Sequence, residues 1–348
     1  MTIKGGTGSA PTMKEIARMA GVSQATVSYV INNTEGISDA VRKRVQEAAD
    51  ELGYIPNMVA RNLKKRKTNI IGILVPDVMN NYYNEVIKYV EKLTRERGYF
   101  IFIGYTMHDP NIEDWYTISL IQQKVAGVIV CYGLTNRECY KKLQTYNVQF
   151  VAIDDEVKEA NGQAPSILIN NIRGSFLAVK HLVSLGIKDI AYCSEHLYSY
   201  ALRERYQGFL EALDEFGLTV NQEMIYIADK KHGYEKINLG YMATKEILSR
   251  SRPRGIFASN DQIAFGIIKR LNEMKIKIPQ DIAVIGYDNI PFSSVLSPSL
   301  TTVNQPIKTM SVQGVKTLLK TIRQEDNIKK RLLLEPNLVV RESAPNKL

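Results

Sequence analysis

Thr12-Met-Lys-Glu-Ile-Ala-Arg-Met-Ala-Gly-Val-Ser-Gln-Ala-Thr-Val-Ser-Tyr-Val-Ile-Asn32 reads as two short helices joined by a glycine turn. Such a unit can set a helix in a DNA groove. Thr12 and Glu15 form a capping box, Gly21 suits the left-handed stop of the first helix, and Ser23 caps the second. Val27, Val30 and Ile31 make one apolar stripe to lie on Ile16, Ala17 and Ala20. The opposite face offers Gln24, Ala25 and Tyr29 as base readers, with Ser23, Thr26, Ser28 and Asn32 as supporting residues. The competing reading is a small helical hairpin with a solvated face.

The continuation weighs against that alternative. A third helix runs from a Ser38 cap through Val41, Val45, Ala48, Ala49 and Leu52 to Gly53 and closes a three-helix core. A Pro56 turn then leads into a basic run ending Leu63-Lys-Lys-Arg-Lys67. Residues 1–67 hold 11 Lys or Arg and 6 Asp or Glu, which is +5 of the formal +9 of the 348-residue chain. A polyanion partner would be met there.

Downstream, apolar runs alternate with amphipathic helices. Strands are expected at 70–75, 99–105, 127–131, 150–153, 190–193, near 224–227, 255–258 and 282–287. Helices are expected at 83–97, 174–185, 206–216, 236–250 and 263–274, and 118–123 is a further apolar segment of the series. This βαβ pattern predicts two parallel-sheet lobes with a cleft at the carboxyl ends of the strands.

The motifs Glu15-Ile-Ala, Ala20-Gly-Val-Ser, Ala25-Thr-Val-Ser, Leu52-Gly-Tyr-Ile-Pro-Asn57, Phe257-Ala-Ser-Asn-Asp-Gln262, Ile285-Gly-Tyr-Asp288 and Leu300-Thr-Thr-Val-Asn-Gln-Pro306 resemble the LacI/GalR family of bacterial transcription regulators. The resemblance covers nearly the whole chain after a flexible tail, 1–11. It implies an α/β fold class: a helix-turn-helix headpiece (12–56), a hinge helix (57–68) and a two-lobed periplasmic-binding-protein-like core (69–348). The N-lobe would take about 69–169 and 299–328, and the C-lobe about 170–298 and 329–348, with crossings near 170, 298 and 328.

The resemblance further implies a homodimer on a near-palindromic operator, controlled by a small-molecule effector, expected to be a sugar. Asn57 and Arg61 would support the hinge on DNA, and Leu63 would wedge into the minor groove. Asp154, Asn260 and Asp288, at or just after strand ends, and Arg205, read as opening a helix, match positions that line the family's effector pocket. Tyr82 and Tyr83, read in the first βα loop, would wall it, with Tyr234 and Gln305 as further members. For each polar residue the competing role is a cap or strand-end hydrogen bond. Two departures stand out: Tyr29 where the family most often has arginine, and Asn170-Asn171 for a frequent Asp-Asn pair.

Neither a phosphate loop, a dinucleotide glycine fingerprint nor a nucleophile elbow is present, which argues against an enzyme. Cys131, Cys139 and Cys193 and the four histidines show no metal spacing, so no cofactor or metal is expected. With no signal-type or membrane-length apolar segment, a cytoplasmic, nucleoid-associated protein without membrane contact is expected, which opposes a transport solute-binding role. A global catabolite-control regulator answering to a phosphorylated partner protein is the alternative within the class. The lack of a heptad tail favours a dimer over a tetramer.

Overall fold

The computed structural model describes residues 10–32, 34–55, 68–158, 164–229 and 235–347. It divides into two compact units, Met1–Arg66 and Lys67–Leu348.

The first unit holds α1 (Met13–Ala20), α2 (Gln24–Ile31) and α3 (Asp39–Glu51). The capping box forms as the sequence requires: the Glu15 carboxylate accepts from Thr12 N at 2.7 Å, and Glu15 N donates back to Thr12 Oγ1 at 3.4 Å. Gly21, at φ 63°, ends α1 in the left-handed region that costs other residues energy. Ser23 Oγ accepts from Thr26 N at 3.0 Å and so fixes the start of α2. Ser38 has extended N-cap geometry, but its hydroxyl caps nothing. Ile16, Val27, Val30 and Val45 are fully buried or nearly so in the common core.

The second unit is built on two six-stranded sheets. The N-lobe sheet has the order β11-β5-β4-β3-β1-β2, where β1 is Ile70–Val75, β2 Phe100–Tyr105, β3 Gly127–Cys131, β4 Gln149–Ile153, β5 Ser166–Ile169 and β11 Arg331–Leu334. Its pairs are all parallel. The C-lobe sheet has the order β12-β10-β9-β8-β6-β7, where β6 is Ile190–Ser194, β7 Ile225–Ile227, β8 Gly255–Ala258, β9 Ala283–Asp288, β10 Thr301–Asn304 and β12 Asn337–Val339. Only the β10–β12 pair of that sheet is antiparallel. The strands are near-continuous apolar runs because helices cover both faces. In chain order those helices are α4 (Asn81–Arg95), α5 (Pro110–Gln122), α6 (Glu138–Thr145), α7 (Asn171–Ser184), α8 (Tyr200–Glu215), α9 (Lys236–Arg250), α10 (Asp261–Glu273) and α11 (Ile307–Ile322).

Two expected crossings are misplaced. The chain passes between lobes at Asn170, at Gln305-Pro306 and at Glu335-Pro336, so 298 and 328 are too early. Thr301 to Asn304 take the parallel slot beside Ile285 to Asp288, which puts β10 in the C-lobe. Arg331 to Leu334 pair with Ser166 to Ile169, which puts β11 in the N-lobe.

Helix starts also differ from the sequence reading. α8 begins at Tyr200, not Tyr206, because Ser199 Oγ accepts from Leu202 N at 3.2 Å, so Arg205 lies in the second turn and does not open the helix. Asn80 caps α4 by accepting from Tyr82 N at 3.0 Å, so Tyr82 and Tyr83 belong to its first turn and not to a loop. The segment read at 118–123 is the end of α5, which starts at Pro110 behind the Asp109 cap.

Candidate ligand cleft and nucleic-acid interface

In the headpiece, Gln24, Ala25 and Tyr29 are exposed together on one side of α2, with Tyr29 at 49%. The supporting residues bond among themselves: Ser23 Oγ lies 2.8 Å from Thr26 Oγ1, and Asn32 Nδ2 donates to Ser28 O at 2.7 Å. Lys14 and Arg18 stand one turn apart, exposed on α1. Asn57, Arg61 and Leu63 lie outside the described residues, as does Tyr234.

In the core, the carboxyl ends of β3, β4, β8 and β9 converge between the lobes on Arg205, which α8 delivers 1% exposed. Its Nε donates to Asn171 Oδ1 at 3.0 Å and its Nη1 to Ser259 O at 2.7 Å. Asp288 Oδ1 stands 3.5 Å from Nη1, and Asp154 Oδ2 stands 3.8 Å from Nη2. The second contact joins the lobes as an ion pair too long for a hydrogen bond. The guanidinium lies 3.8 Å over the Tyr287 ring, while Tyr132 stacks more distantly at 5.8 Å. Gln305 Nε2 donates to Asp288 Oδ1 at 2.6 Å, and Asn171 Nδ2 to Asp154 Oδ1 at 3.1 Å.

Several buried atoms in this cluster have no hydrogen-bond partner among the described residues: Asp154 Oδ2, Arg205 Nη2, Gln305 Oε1 and Ser259 Oγ. Buried polar groups are normally satisfied. The backbone is strained here too, with φ of 66° at Tyr132, 57° at Asp154 and 115° at Asp288. Burial pushes the Asp288 carboxyl up to about 6, opposed by Arg205. Burial also raises Asp154, again opposed by Arg205. Asp261, whose carboxylate accepts from Ile290 N, Ser293 and Thr302, is raised to about 7 by burial and then by Asp288.

Tyr82 and Tyr83 pack edge to face at 5.1 Å, and Tyr83 meets Tyr132 at 6.0 Å. Both side chains are buried, and neither lines either of the two cavities described below. Asn260 has the capping role weighed against ligation, since its Oδ1 accepts from Ile263 N at 2.9 Å. Its Nδ2 turns instead to Glu195 Oε1, 3.1 Å away.

That contact leads to a second cluster absent from the sequence reading. Lys236 Nζ lies 3.3 Å from Glu195 Oε1, with both side chains at most 4% exposed. Tyr198 OH donates to Glu195 Oε2 at 2.9 Å and lies 2.7 Å from His108 Nε2. Because the phenol proton is spent on Glu195, His108 must donate through Nε2, which leaves Nδ1 as a buried acceptor without a partner among the described residues. Burial, then the Lys236 charge, lowers the His108 imidazole to about 3, so it is neutral at physiological pH.

Two signals could have found this cluster. Glu195 follows the last residue of β6, the strand-end position that singled out Asp154. Lys236 begins α9, where the helix dipole opposes a cation unless something else holds it. Two cavities flank the clusters. One of about 930 Å³ is lined by Asp77, Met79, Lys236, Gln262, Phe265 and Ile290 among others, and one of about 360 Å³ by Tyr132, Arg137, Asp155, Tyr198 and Arg203 among others. Arg205, Asp154 and Asp288 line neither cavity.

Residues 12–57 match the family model described as bacterial regulatory proteins, lacI family, and residues 179–344 match a periplasmic binding protein-like domain. The HTH-type transcriptional repressor PurR of Vibrio vulnificus (strain CMCP6) is 35% identical over 334 residues, which cover 95% of this chain and 98% of that protein. The chain belongs to the LacI family. It is accordingly a LacI-family transcriptional repressor and not an enzyme. Among solved structures, a lac repressor dimer bound to operator and the anti-inducer ONPF aligns with TM-score 0.85 at 26% identity, covering 97% of this chain and 100% of that one. The regulator CelR in complex with cellobiose aligns with TM-score 0.73 at 27% identity, covering 96% and 99%. Among the described residues, no helix of this LacI-family chain is long and apolar enough to cross a membrane.

Proposed function

We propose that this repressor binds a near-palindromic operator as a homodimer in the cytoplasm, and that a sugar-class effector held between the core lobes sets its operator affinity. The observation that carries the effector reading is the buried Asp154–Arg205–Asp288 cluster with its unpartnered atoms. Two carboxylates and a guanidinium accept and donate to neighbouring hydroxyls in pairs, and the Tyr132 ring, which also lines one of the two cavities, offers a face to the apolar side of a pyranose. The likeness to a cellobiose-bound regulator supports the same class. Because Arg205, Asp154 and Asp288 are buried, parting of the lobes would admit an effector to them, and its binding energy would then bias the lobe arrangement. Operator and effector affinities are therefore linked reciprocally.

The dimer reading is supported by apolar surface. Phe100, Phe102 and Ile103 on the sheet-edge strand β2 are 66%, 39% and 42% exposed, with Trp115 on α5 at 61%. An edge strand so apolar is a pairing surface unless covered. The lac repressor structure it resembles is a dimer on operator.

The test is selection of host genomic fragments by the purified protein at fixed salt, followed by titration of bound fragments with mono- and disaccharides. Enrichment of a few near-palindromes, with affinity altered by one sugar, is expected. Operator binding indifferent to every sugar but altered by a nucleobase or a phosphorylated protein would overturn the effector class.

A further inference from the structure

We infer that the headpiece selects A·T pairs, not guanine, at the major-groove positions met by α2. The inference rests on the operator-binding reading above.

α2 carries neither an acidic nor a basic residue. Val27 and Val30 are turned into the three-helix core. Ser23 and Thr26 share a hydrogen bond at the helix start, and the Asn32 amide is folded back on Ser28 at the other end, 2.7 Å from its carbonyl and 3.3 Å from its hydroxyl. What α2 holds out to solvent is one primary amide, one methyl and one phenol: Gln24, Ala25 and Tyr29.

Guanine presents two acceptors, N7 and O6, in the major groove, and the forked donors of Arg or the ammonium of Lys read both. A phenol has a single proton and cannot satisfy two acceptors. Adenine presents an acceptor and a donor side by side, which the carboxamide of Gln24 matches with its own donor and acceptor. Thymine presents its C5 methyl, which gains from apolar contact with the Ala25 methyl and the Tyr29 ring and has no use for a cation. The exposed cations of α1, Lys14 and Arg18, are suited to phosphates, which carry no direct sequence information.

The experiment is selection from a randomised duplex pool by the full-length protein and by Tyr29→Arg and Gln24→Ala, all at one salt concentration. Both side chains are exposed, so both variants should fold, which thermal denaturation checks. Wild-type half-sites are expected to hold A·T at the positions whose preference each variant changes. Tyr29→Arg should convert one position in each half-site to G·C, with on the order of tenfold discrimination. Wild-type half-sites with G·C at either variant-sensitive position would overturn the inference and leave operator binding intact, and so would variants that select unchanged sequences. No enrichment by any of the three proteins would remove the operator-binding reading and the inference with it.

Discussion

Arg205 shows how much one residue can be asked to do. Its charge is held in a fully buried place by Asp288 and Asp154, its geometry by Asn171 and Ser259, and its face by Tyr287. Truncating it to alanine would leave two buried carboxylates without a counter-ion, a loss of about 3–5 kcal/mol, so Arg205→Ala should cost core stability as well as effector response. Asp288→Asn keeps the shape and separates the two roles. We expect this variant to bind operator as wild type does but to need far more effector for the same change, measured by operator titration. An unchanged effector midpoint would remove Asp288 from the site.

The same substitution tests the electrostatics. The folded-state value of Asp288, about 6, lies above the ordinary carboxylate value of 3.8, so the native state holds its proton more tightly than the unfolded chain. The resulting stability is complete below the ordinary value and is lost as pH rises through about 6. Relative to Asp288→Asn, wild type should therefore lose melting temperature between about pH 4 and pH 6 and change little above that, whereas a constant difference across that range would contradict the shift. His108, lowered to about 3, acts in the opposite sense: its stability is present above 6.5 and lost as pH falls toward 3. It is common to both proteins and cancels in the comparison.

At the scale of elements, α9 and α10 meet through reciprocal glycines. A Cβ on Gly240 would stand 2.0 Å from the Ile263 carbonyl oxygen, and one on Gly266 would stand 1.9 Å from that of Ile237. Backbone cannot yield as a side chain tip can, so Gly266→Ala should force the helices apart and cost about 1–3 kcal/mol or more. A lowered denaturation midpoint for the core, with the headpiece transition unmoved, is the expected result, and an unchanged core midpoint would show that the helices can separate freely. The capping box of α1 is the milder counterpart. Thr12→Ala should cost the headpiece about 1 kcal/mol, read from its own melting transition.

For the molecule as a whole, the proposed dimer is tested at the apolar edge of β2. Phe100→Asp with Phe102→Asp should give a monomer by sedimentation velocity and weaken operator binding, since one headpiece meets only one half-site. A double variant that remains dimeric would place the interface elsewhere.

The headpiece was legible in the sequence because its signals are local: Thr12 to Glu15, Gly21 and Ser23 act within one helical turn, and their bonds form where the spacing put them. The long apolar strands and the carboxylates at their ends were legible for the same reason, and the family resemblance added to those strand ends is why Asp154 and Asp288 could be named before their surroundings were known. Partnership was not legible. Whether 301–304 joins the C-lobe, or 331–334 the N-lobe, depends on hydrogen bonds to strands at 285–288 and 166–169, and an extended segment carries no mark of which neighbour it will take. Nor could local spacing bring His108, Glu195, Tyr198 and Lys236 to one place, since they come from two separate connections and the first turn of α9. A buried lysine on a helix start is unfavourable by every local rule, and only the carboxylate that the tertiary fold sets beside it makes the position tenable.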